Sequence, residues 1–158
     1  MNCRQLCADM TDKKNIQSLK KFLSQGRDET LAFAATLGES LEGGELIFLN
    51  GELGSGKTVF AKGIAKGLGV VDSVTSPTFT LMNIYEGKSL TLCHFDLYRL
   101  GSVDELFELG MDEYIHKDNV VIVEWGKAFL SELDYPHIFI EIDVLDAEKR
   151  NIRIMSPL

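Results

Sequence analysis

The residues best suited to chemistry form one glycine-rich segment, Gly51-Glu-Leu-Gly-Ser-Gly-Lys-Thr58. It satisfies the pattern G-x-x-x-x-G-K-[ST] at every position. Glycines at this spacing let backbone N–H groups turn inward as an anion nest, Lys57 can reach the β and γ phosphates of ATP, and the Thr58 hydroxyl can reach Mg²⁺. The segment predicts cofactor contacts from Glu52, Leu53, Gly54, Ser55, Gly56, Lys57, Thr58 and Val59.

Two carboxylates are candidates for the metal and for the attacking water. Phosphoryl chemistry on such a loop usually needs a carboxylate at the tip of a neighbouring strand. Glu124 ends the apolar run Val120-Val-Ile-Val123, and Asp96 ends Leu92-Cys-His-Phe-Asp96. For each residue the alternative is an ordinary carboxylate at the end of a strand.

A third group of polar residues lies on the segment Thr75-Ser-Pro-Thr-Phe79, where Pro77 interrupts regular structure. The hydroxyls of Thr75, Ser76 and Thr78 could close over the γ-phosphate as a switch loop does, or the segment could be a plain Ser-Pro turn. Arg99 is a candidate phosphate or partner contact, with a surface salt bridge as the alternative.

Trp125 directly follows Glu124 and is the only tryptophan of the chain. Its side chain could pack beside the nucleotide, present a face to a partner, or pack in the core, which is the usual outcome. The sequence pattern leaves these alternatives open.

The elements around these residues indicate an α/β fold with a mixed sheet. An apolar, β-branched run before a glycine-rich loop is typical of a buried parallel strand. Helices are predicted at about 28–41, 57–68 and 103–109, and strands at 45–50, 80–85, 90–96, 119–124, 137–143 and 150–155. The turn at 86–89 makes a hairpin of the second and third strands, and the turn at 145–149 joins the last two.

The N-terminal 26 residues are harder to interpret. Ile16, Leu19 and Leu23 fall at helical spacing, yet residues 19–23 would also fit a short edge strand. We therefore treat residues 1–26 as an N-terminal extension of uncertain structure and assign residues 27–158 to a single domain.

The composition excludes several classes of function. A balance of 16 Lys+Arg against 24 Asp+Glu gives a net charge of −8, which disfavours unaided binding to DNA or RNA. No apolar run is long enough for a membrane span, so a cytoplasmic protein is expected. Cys3, Cys7 and Cys93 are interpreted as reduced thiols, and His94, His116 and His137 as surface or satisfied core histidines.

Four motifs, taken in order, resemble the TsaE family, formerly YjeE, of bacterial ATPases required to form threonylcarbamoyladenosine in tRNA. They are Gly51 to Thr58, Ser76-Pro-Thr-Phe79, His94-Phe-Asp-Leu-Tyr-Arg99 and Glu124-Trp125. The resemblance extends from about residue 28 to the C-terminus. The chain departs from the usual pattern at Glu52 and Gly126 and in its longer N-terminus.

The resemblance implies a P-loop nucleoside triphosphate hydrolase fold with a mixed, mostly parallel sheet flanked by helices. It also implies slow ATP hydrolysis that depends on partner proteins. Position by position, Lys57 and Thr58 match the phosphate and magnesium residues, and Asp96 matches the Walker B-type aspartate. Glu124 and Trp125 match a pair needed for hydrolysis, and residues 75–79 match the switch-like loop. The predicted metal ligands are Thr58, Asp96 and Glu124, and the predicted catalytic residues are Lys57, Asp96, Glu124 and Trp125.

The resemblance further implies partner proteins. TsaD transfers the threonylcarbamoyl group to tRNA, and TsaB is its dimerisation partner. The ATPase enables multiple turnovers, so its contact with tRNA is expected only through the complex. Two other functions stay open on the residues alone. They are a small P-loop kinase, which commonly clamps its acceptor with arginines, and a nucleotide-dependent interaction module without significant hydrolysis.

Overall fold

The computed structural model of the protein describes residues 17–156, with side chains described from 20 to 155. The strands are β1 (Gln17–Ser24), β2 (Leu46–Asn50), β3 (Met82–Glu86), β4 (Thr91–Asp96), β5 (Asn119–Glu124), β6 (Ile138–Val144) and β7 (Arg150–Ser156). The helices are α1 (Arg27–Glu39), α2 (Lys57–Gly67) and α3 (Val103–Glu108), with 3-10 turns at Met111–Tyr114 and Lys127–Glu132. None of the helices in this part of the chain has the length and apolarity to span a membrane.

The strands form one seven-stranded mixed sheet in the order β1-β7-β6-β2-β5-β4-β3. The four inner strands β6, β2, β5 and β4 are mutually parallel, whereas β1, β7 and β3 pair antiparallel with their neighbours. The mixed sheet flanked by helices is therefore confirmed. Three of the six strand pairs are parallel, and tight turns join the antiparallel pairs β3–β4 and β6–β7, as short connections do.

At the N-terminus, the edge-strand alternative for residues 19–23 is confirmed, since β1 is the outermost strand and pairs with β7. Residues 1–16, with Cys3, Cys7 and Ile16, lie outside the described residues. The assignment of residues 27–158 to a single domain stays a prediction. Cys93 is a free thiol on β4, and burial, aided by Glu86, raises its pKa to about 11.

Most predicted elements are present with their ends shifted by one or two residues. The helix predicted at 28–41 ends at Glu39, and the strand predicted from residue 80 begins at Met82. That strand starts late because residues 78–80 form a turn and Leu81 has a φ of 65°, a conformation that a strand does not use. The sequence analysis missed both 3-10 turns.

The alternation of side chains along the inner strands separates two cores. Leu92 and Ile122 point to the core beneath α1 and α2, whereas Cys93 and Val123 point to the core on the opposite face. Because side chains alternate along a strand, Asp96 and Glu124 belong to the same face as Leu92 and Ile122. Both carboxylates therefore lie at the end of the sheet on the side that carries α2.

Helices α1 and α2 approach each other closely through glycines. A Cβ atom added at Gly63 would meet the side chain of Ala34 and lie 2.6 Å from the carbonyl oxygen of Leu31. Gly38 and Gly67 are equally enclosed by backbone atoms of the facing helix. This contact fixes α2, whose first turn carries Lys57 and Thr58.

Gly63→Ala is expected to lower the free energy of unfolding by about 1–3 kcal/mol, because the helices must separate to admit the methyl group. Urea denaturation measures this loss. Gly26→Ala is the matched control, since nothing lies within 4 Å of a Cβ there and its φ of 177° suits any residue. A Gly63→Ala variant as stable as Gly26→Ala would contradict the close helix contact.

Candidate functional site

The glycine-rich loop connects the end of β2 to the first turn of α2. Gly54 and Gly56 have φ values of 79° and 104°, which favour glycine. A Cβ atom at Gly51 would lie 2.7 Å from the carbonyl oxygen of Ile142, so only glycine fits there without a shift. The first N–H groups of α2 lack acceptors within the helix, and they form the positive end at which the loop closes.

Lys57 is 6% exposed and lies between this loop and the two carboxylates. Its Nζ donates to the carbonyl oxygens of Gly51, at 2.7 Å, and Glu52, at 3.0 Å. Burial lowers the pKa of Lys57, while the negative charges of Glu124 and Asp96 act in the opposite direction. The ammonium group thus stands where it can exchange two backbone acceptors for phosphate oxygens.

Asp96, at the end of β4, accepts hydrogen bonds from two of the predicted switch residues. Its Oδ2 accepts hydrogen bonds from Thr78 Oγ1 at 2.9 Å and from Ser76 Oγ at 3.4 Å. Its Oδ1 accepts from the backbone N–H of Tyr98 at 2.9 Å. Thr75 differs, because its backbone N–H donates to the Tyr85 hydroxyl and its carbonyl oxygen accepts from the same hydroxyl and from the Asn83 amide.

Glu124, at the end of β5, is 3% exposed and is bonded to His94, which is fully buried. Glu124 Oε1 lies 2.9 Å from His94 Nε2. The next residue, Trp125, has a φ of 58°, which turns the chain sharply away from the strand. Its ring lies 4.3 Å from Lys57 Nζ and packs edge-on against Tyr98, with the ring centroids 5.1 Å apart. Trp125 therefore contacts the site residues instead of being fully buried in a core.

On the other side of the loop is a cavity of about 320 Å³. Thr30 of α1, Val59 of α2 and the backbone of residues 54–56 line it, and Arg150 closes it from β7. Arg150 donates from Nε to the carbonyl oxygen of Ser55 at 2.9 Å and from Nη2 to that of Gly54 at 3.3 Å. These bonds hold both carbonyl groups toward β7, so that the N–H of Gly56 is directed to the opposite side.

The structure thus brings together six predicted residues, namely Lys57, Ser76, Thr78, Asp96, Glu124 and Trp125. Glu52 and Leu53 are on the loop with exposed side chains, 90% exposed for Leu53, so they offer backbone groups only. Arg99 forms no salt bridge with any of the described residues. Its guanidinium lies 4.6 Å from the ring centroid of Phe79.

Two residues of this site were not predicted as site residues. His94 was interpreted as a surface or satisfied core histidine; it is buried, its Nε2 is bonded to Glu124, and its Nδ1 has no partner among the described residues. Its position two residues before Asp96 on a buried strand was an available signal. Arg150 was assigned only to a terminal strand, and nothing in its neighbours in sequence indicates a contact with residues 54 and 55.

The oxygen donors here suit a hard cation. Among the described residues, no group of three or more His, Cys, Asp and Glu side chains is placed to hold a metal ion. Mg²⁺ is commonly held by one or two carboxylates together with waters and substrate phosphates, so a closed protein cage is not required. Thr58, on the first turn of α2, and Asp96, at the end of β4, carry oxygen donors of that kind.

Comparison with known proteins identifies the family. The sequence model described as "Threonylcarbamoyl adenosine biosynthesis protein TsaE" matches residues 24–152. The chain belongs to the TsaE family. The resemblance noted from the four motifs is therefore confirmed, and the match also takes in the end of β1.

Individual members of the TsaE family match most of the chain. The tRNA threonylcarbamoyladenosine biosynthesis protein TsaE of Treponema pallidum is 39% identical over 132 residues, 84% of this chain and 97% of that protein. The protein of the same name from Bacillus subtilis is 38% identical over 132 residues, 84% of this chain and 82% of its own length. The crystal structure of Bacillus subtilis YdiB has a TM-score of 0.78 at 32% identity and covers 92% of this chain and 89% of that one.

Proposed function

We propose that this chain is a magnesium-dependent ATPase that serves tRNA threonylcarbamoyladenosine formation, the process for which its matched relatives are named. The observation that carries the proposal is the convergence of Lys57, Asp96 and Glu124 beside the glycine-rich loop. Lys57 Nζ bonds to the loop carbonyls, the Trp125 ring directly after Glu124 lies 4.3 Å from it, and Asp96 is paired with Glu124 in the sheet. A cation for phosphate, a carboxylate for a metal and a second carboxylate for water form the minimal set for phosphoryl transfer to water.

We place the triphosphate on residues 51–58 in a P-loop nucleoside triphosphate hydrolase fold. Backbone N–H groups at the start of α2 would receive phosphate oxygens, and Lys57 would leave the carbonyls of Gly51 and Glu52 for the terminal phosphates. The cavity beside Val59 and Arg150 is where we place the adenine base, because residues 54–56 of the loop line it and neither Asp96 nor Glu124 does.

Mg²⁺, when bound, would neutralise charge on the β and γ phosphate oxygens. Thr58 and Asp96 would hold it directly or through water, and Glu124 would contact its water shell. Asp96 is already oriented by Ser76, Thr78 and the N–H of Tyr98. Movement of the loop at residues 75–78 is thereby coupled to the metal carboxylate, which is what a switch loop requires.

Glu124 is the residue that we assign to the attacking water. Its Oε1 is engaged by His94, so Oε2 is the oxygen that accepts a hydrogen bond from the water and orients it toward the γ-phosphate. Trp125 covers the ammonium of Lys57 and shields it from solvent, which strengthens the interaction of that cation with phosphate. Hydrolysis, and not phosphate transfer to a small acceptor, is the reaction for which these residues are arranged.

The arginines argue against the kinase alternative. A kinase lid needs arginines free to clamp an acceptor. Arg150 is engaged with loop carbonyls, Arg153 donates to Asp143 Oδ2 at 3.0 Å, and Arg99 lies on Phe79. The interaction-module alternative differs from the ATPase proposal in one outcome, since such a module would bind ATP without significant hydrolysis.

The partners that we propose are homologues of TsaD and TsaB, with tRNA reached through that complex. A chain with a net charge of −8 is poorly suited to grip tRNA itself. In this arrangement, ATP hydrolysis by the chain allows the transferase to act repeatedly. The chain does not itself form the threonylcarbamoyl bond.

The direct test is phosphate release from ATP by the purified chain, with Mg²⁺ and with EDTA, alone and with TsaD and TsaB homologues of the same organism. We expect slow release with Mg²⁺, faster release with the partners and none with EDTA. Absence of hydrolysis under all conditions, with ATP still bound, would replace the ATPase proposal by the interaction module.

Arg150→Met is expected to weaken ATP binding by about 10-fold, because the loop loses the two bonds that orient the peptide groups at residues 54–56. The kcat at saturating ATP should change less than the Kd. Isothermal titration calorimetry measures the affinity. Arg153→Met is the matched control, since Arg153 lies on the same strand and bonds to Asp143 instead of the loop. Equal affinity of the two variants would contradict the role of Arg150.

A further inference from the structure

The buried pair of His94 and Glu124 goes beyond the roles assigned so far. The two residues lie on adjacent parallel strands, and the register pairs Asp96 with Glu124, so His94 is two residues further back on the same face. His94 is fully buried and Glu124 is 3% exposed, with 2.9 Å between Nε2 and Oε1. The pair therefore lies at the end of the sheet, on the face that carries α2.

The second nitrogen of His94 makes the pair costly to bury. Nδ1 is buried and has no hydrogen-bond partner within the described part of the chain. An unsatisfied buried polar atom costs about 1–3 kcal/mol. A leucine here would avoid that cost but would leave the buried Glu124 carboxylate without its donor, so the reason for the histidine lies in what Glu124 does.

The contacts of Lys57 supply that reason. The Trp125 ring, one residue after Glu124, lies 4.3 Å from Lys57 Nζ, and both carboxylates act on this ammonium through space. Nζ nevertheless bonds to the carbonyls of Gly51 and Glu52. A carboxylate so near a lysine would otherwise be free to turn and form an ion pair with it. The bond from His94 holds Glu124 back, which leaves the ammonium for phosphate and one carboxylate oxygen for water.

We propose that His94 is a positioning residue for the hydrolytic step, and this role rests on the proposed ATPase function. A carboxylate can only accept hydrogen bonds, so Nε2 carries the hydrogen and donates it to Oε1 of Glu124. This bond fixes the carboxylate in the orientation in which Oε2 faces the attacking water. Loss of the bond lowers turnover while nucleotide binding, which uses the loop, persists.

The test compares three substitutions in ATP hydrolysis with TsaD and TsaB homologues present. His94→Leu removes the donor, and His94→Asn places its amide near the position of Nδ1, where it cannot reach Glu124. His94→Gln places an amide N–H near the position of Nε2. We expect kcat to fall about 10- to 100-fold in the Leu and Asn variants, as a misplaced catalytic group does, with ATP affinity unchanged and with substantial rescue by Gln.

A double variant separates positioning from a general structural effect. If His94 acts through Glu124, His94→Leu should cause no further loss of kcat in a Glu124→Gln background. Cys93→Ala, on the same strand but facing the other core, is the control for loss of buried volume.

Wild-type kcat in His94→Leu and His94→Asn would overturn the proposal, as would equal losses in all three single variants or a further loss in the double variant. A wild-type protein without ATPase activity would instead overturn the proposed function, so the two failures are distinguishable.

Discussion

Glu124→Gln is expected to lower the kcat of ATP hydrolysis by about 10²- to 10⁴-fold, the range typical of a lost general base, with the Kd for ATP nearly unchanged. Glutamine keeps the shape of the side chain and can still accept the bond from His94. It cannot take up a proton from the attacking water as a carboxylate does. Phosphate release under single-turnover conditions, with calorimetry for ATP binding, measures both parameters.

A control for Glu124→Gln is available on β6, an inner parallel strand that β2 separates from β5. Glu141 of β6 is also a partly buried carboxylate, and it accepts a bond from the Asn50 side chain at 2.6 Å. Glu141→Gln should hydrolyse ATP at nearly the wild-type rate. Wild-type turnover by Glu124→Gln would remove Glu124 from the reaction and leave the convergence of carboxylates without a catalytic role.

Lys57→Met is expected to weaken ATP binding by about 10- to 100-fold, because a charge-assisted hydrogen bond to phosphate is worth about 1.5–3 kcal/mol. The fold should survive, since burial lowers the pKa of Lys57 and so shows that its ammonium is held at a desolvation cost that methionine avoids. The melting temperature without nucleotide should therefore not fall, whereas the rise that ATP causes in the wild type should be largely lost.

Lys62→Met provides the comparison on the same helix, because Lys62 lies beyond the first turn of α2 and lines a different pocket. Its affinity for ATP should match the wild type. If Lys57→Met bound ATP as tightly as Lys62→Met, the loop would not be the phosphate site. A large fall in the melting temperature without nucleotide would instead assign Lys57 a structural role.

Much of this site follows from local sequence. The glycine-rich loop, the strand before it and the helix after it are encoded by contiguous residues, so residues 45–68 could be predicted closely. Asp96 and Glu124 were predictable because each ends an apolar run, and carboxyl ends of parallel strands meet at one edge of a sheet. The clustering of Ser76 and Thr78 on Asp96 agrees with the expected loop.

The remaining contacts depend on how distant segments pair. The bond between His94 and Glu124 requires the β4 and β5 register, and the bonds from Arg150 to the loop link residues 95 and 96 positions apart. The turn at Trp125 uses a positive φ, which no local pattern predicts for tryptophan. The pairing of β1 with β7 likewise joins distant segments of the chain, so local sequence does not predict it.

We propose that ATP hydrolysis at Glu124 lets the transferase turn over repeatedly. Threonylcarbamoyladenosine formed per TsaD homologue should be measured over time, with TsaB homologue, tRNA and ATP, and with wild-type chain, Glu124→Gln or no addition. We expect continued product formation with the wild type and arrest after about one turnover in the other two reactions. Equal product in all three reactions would contradict it.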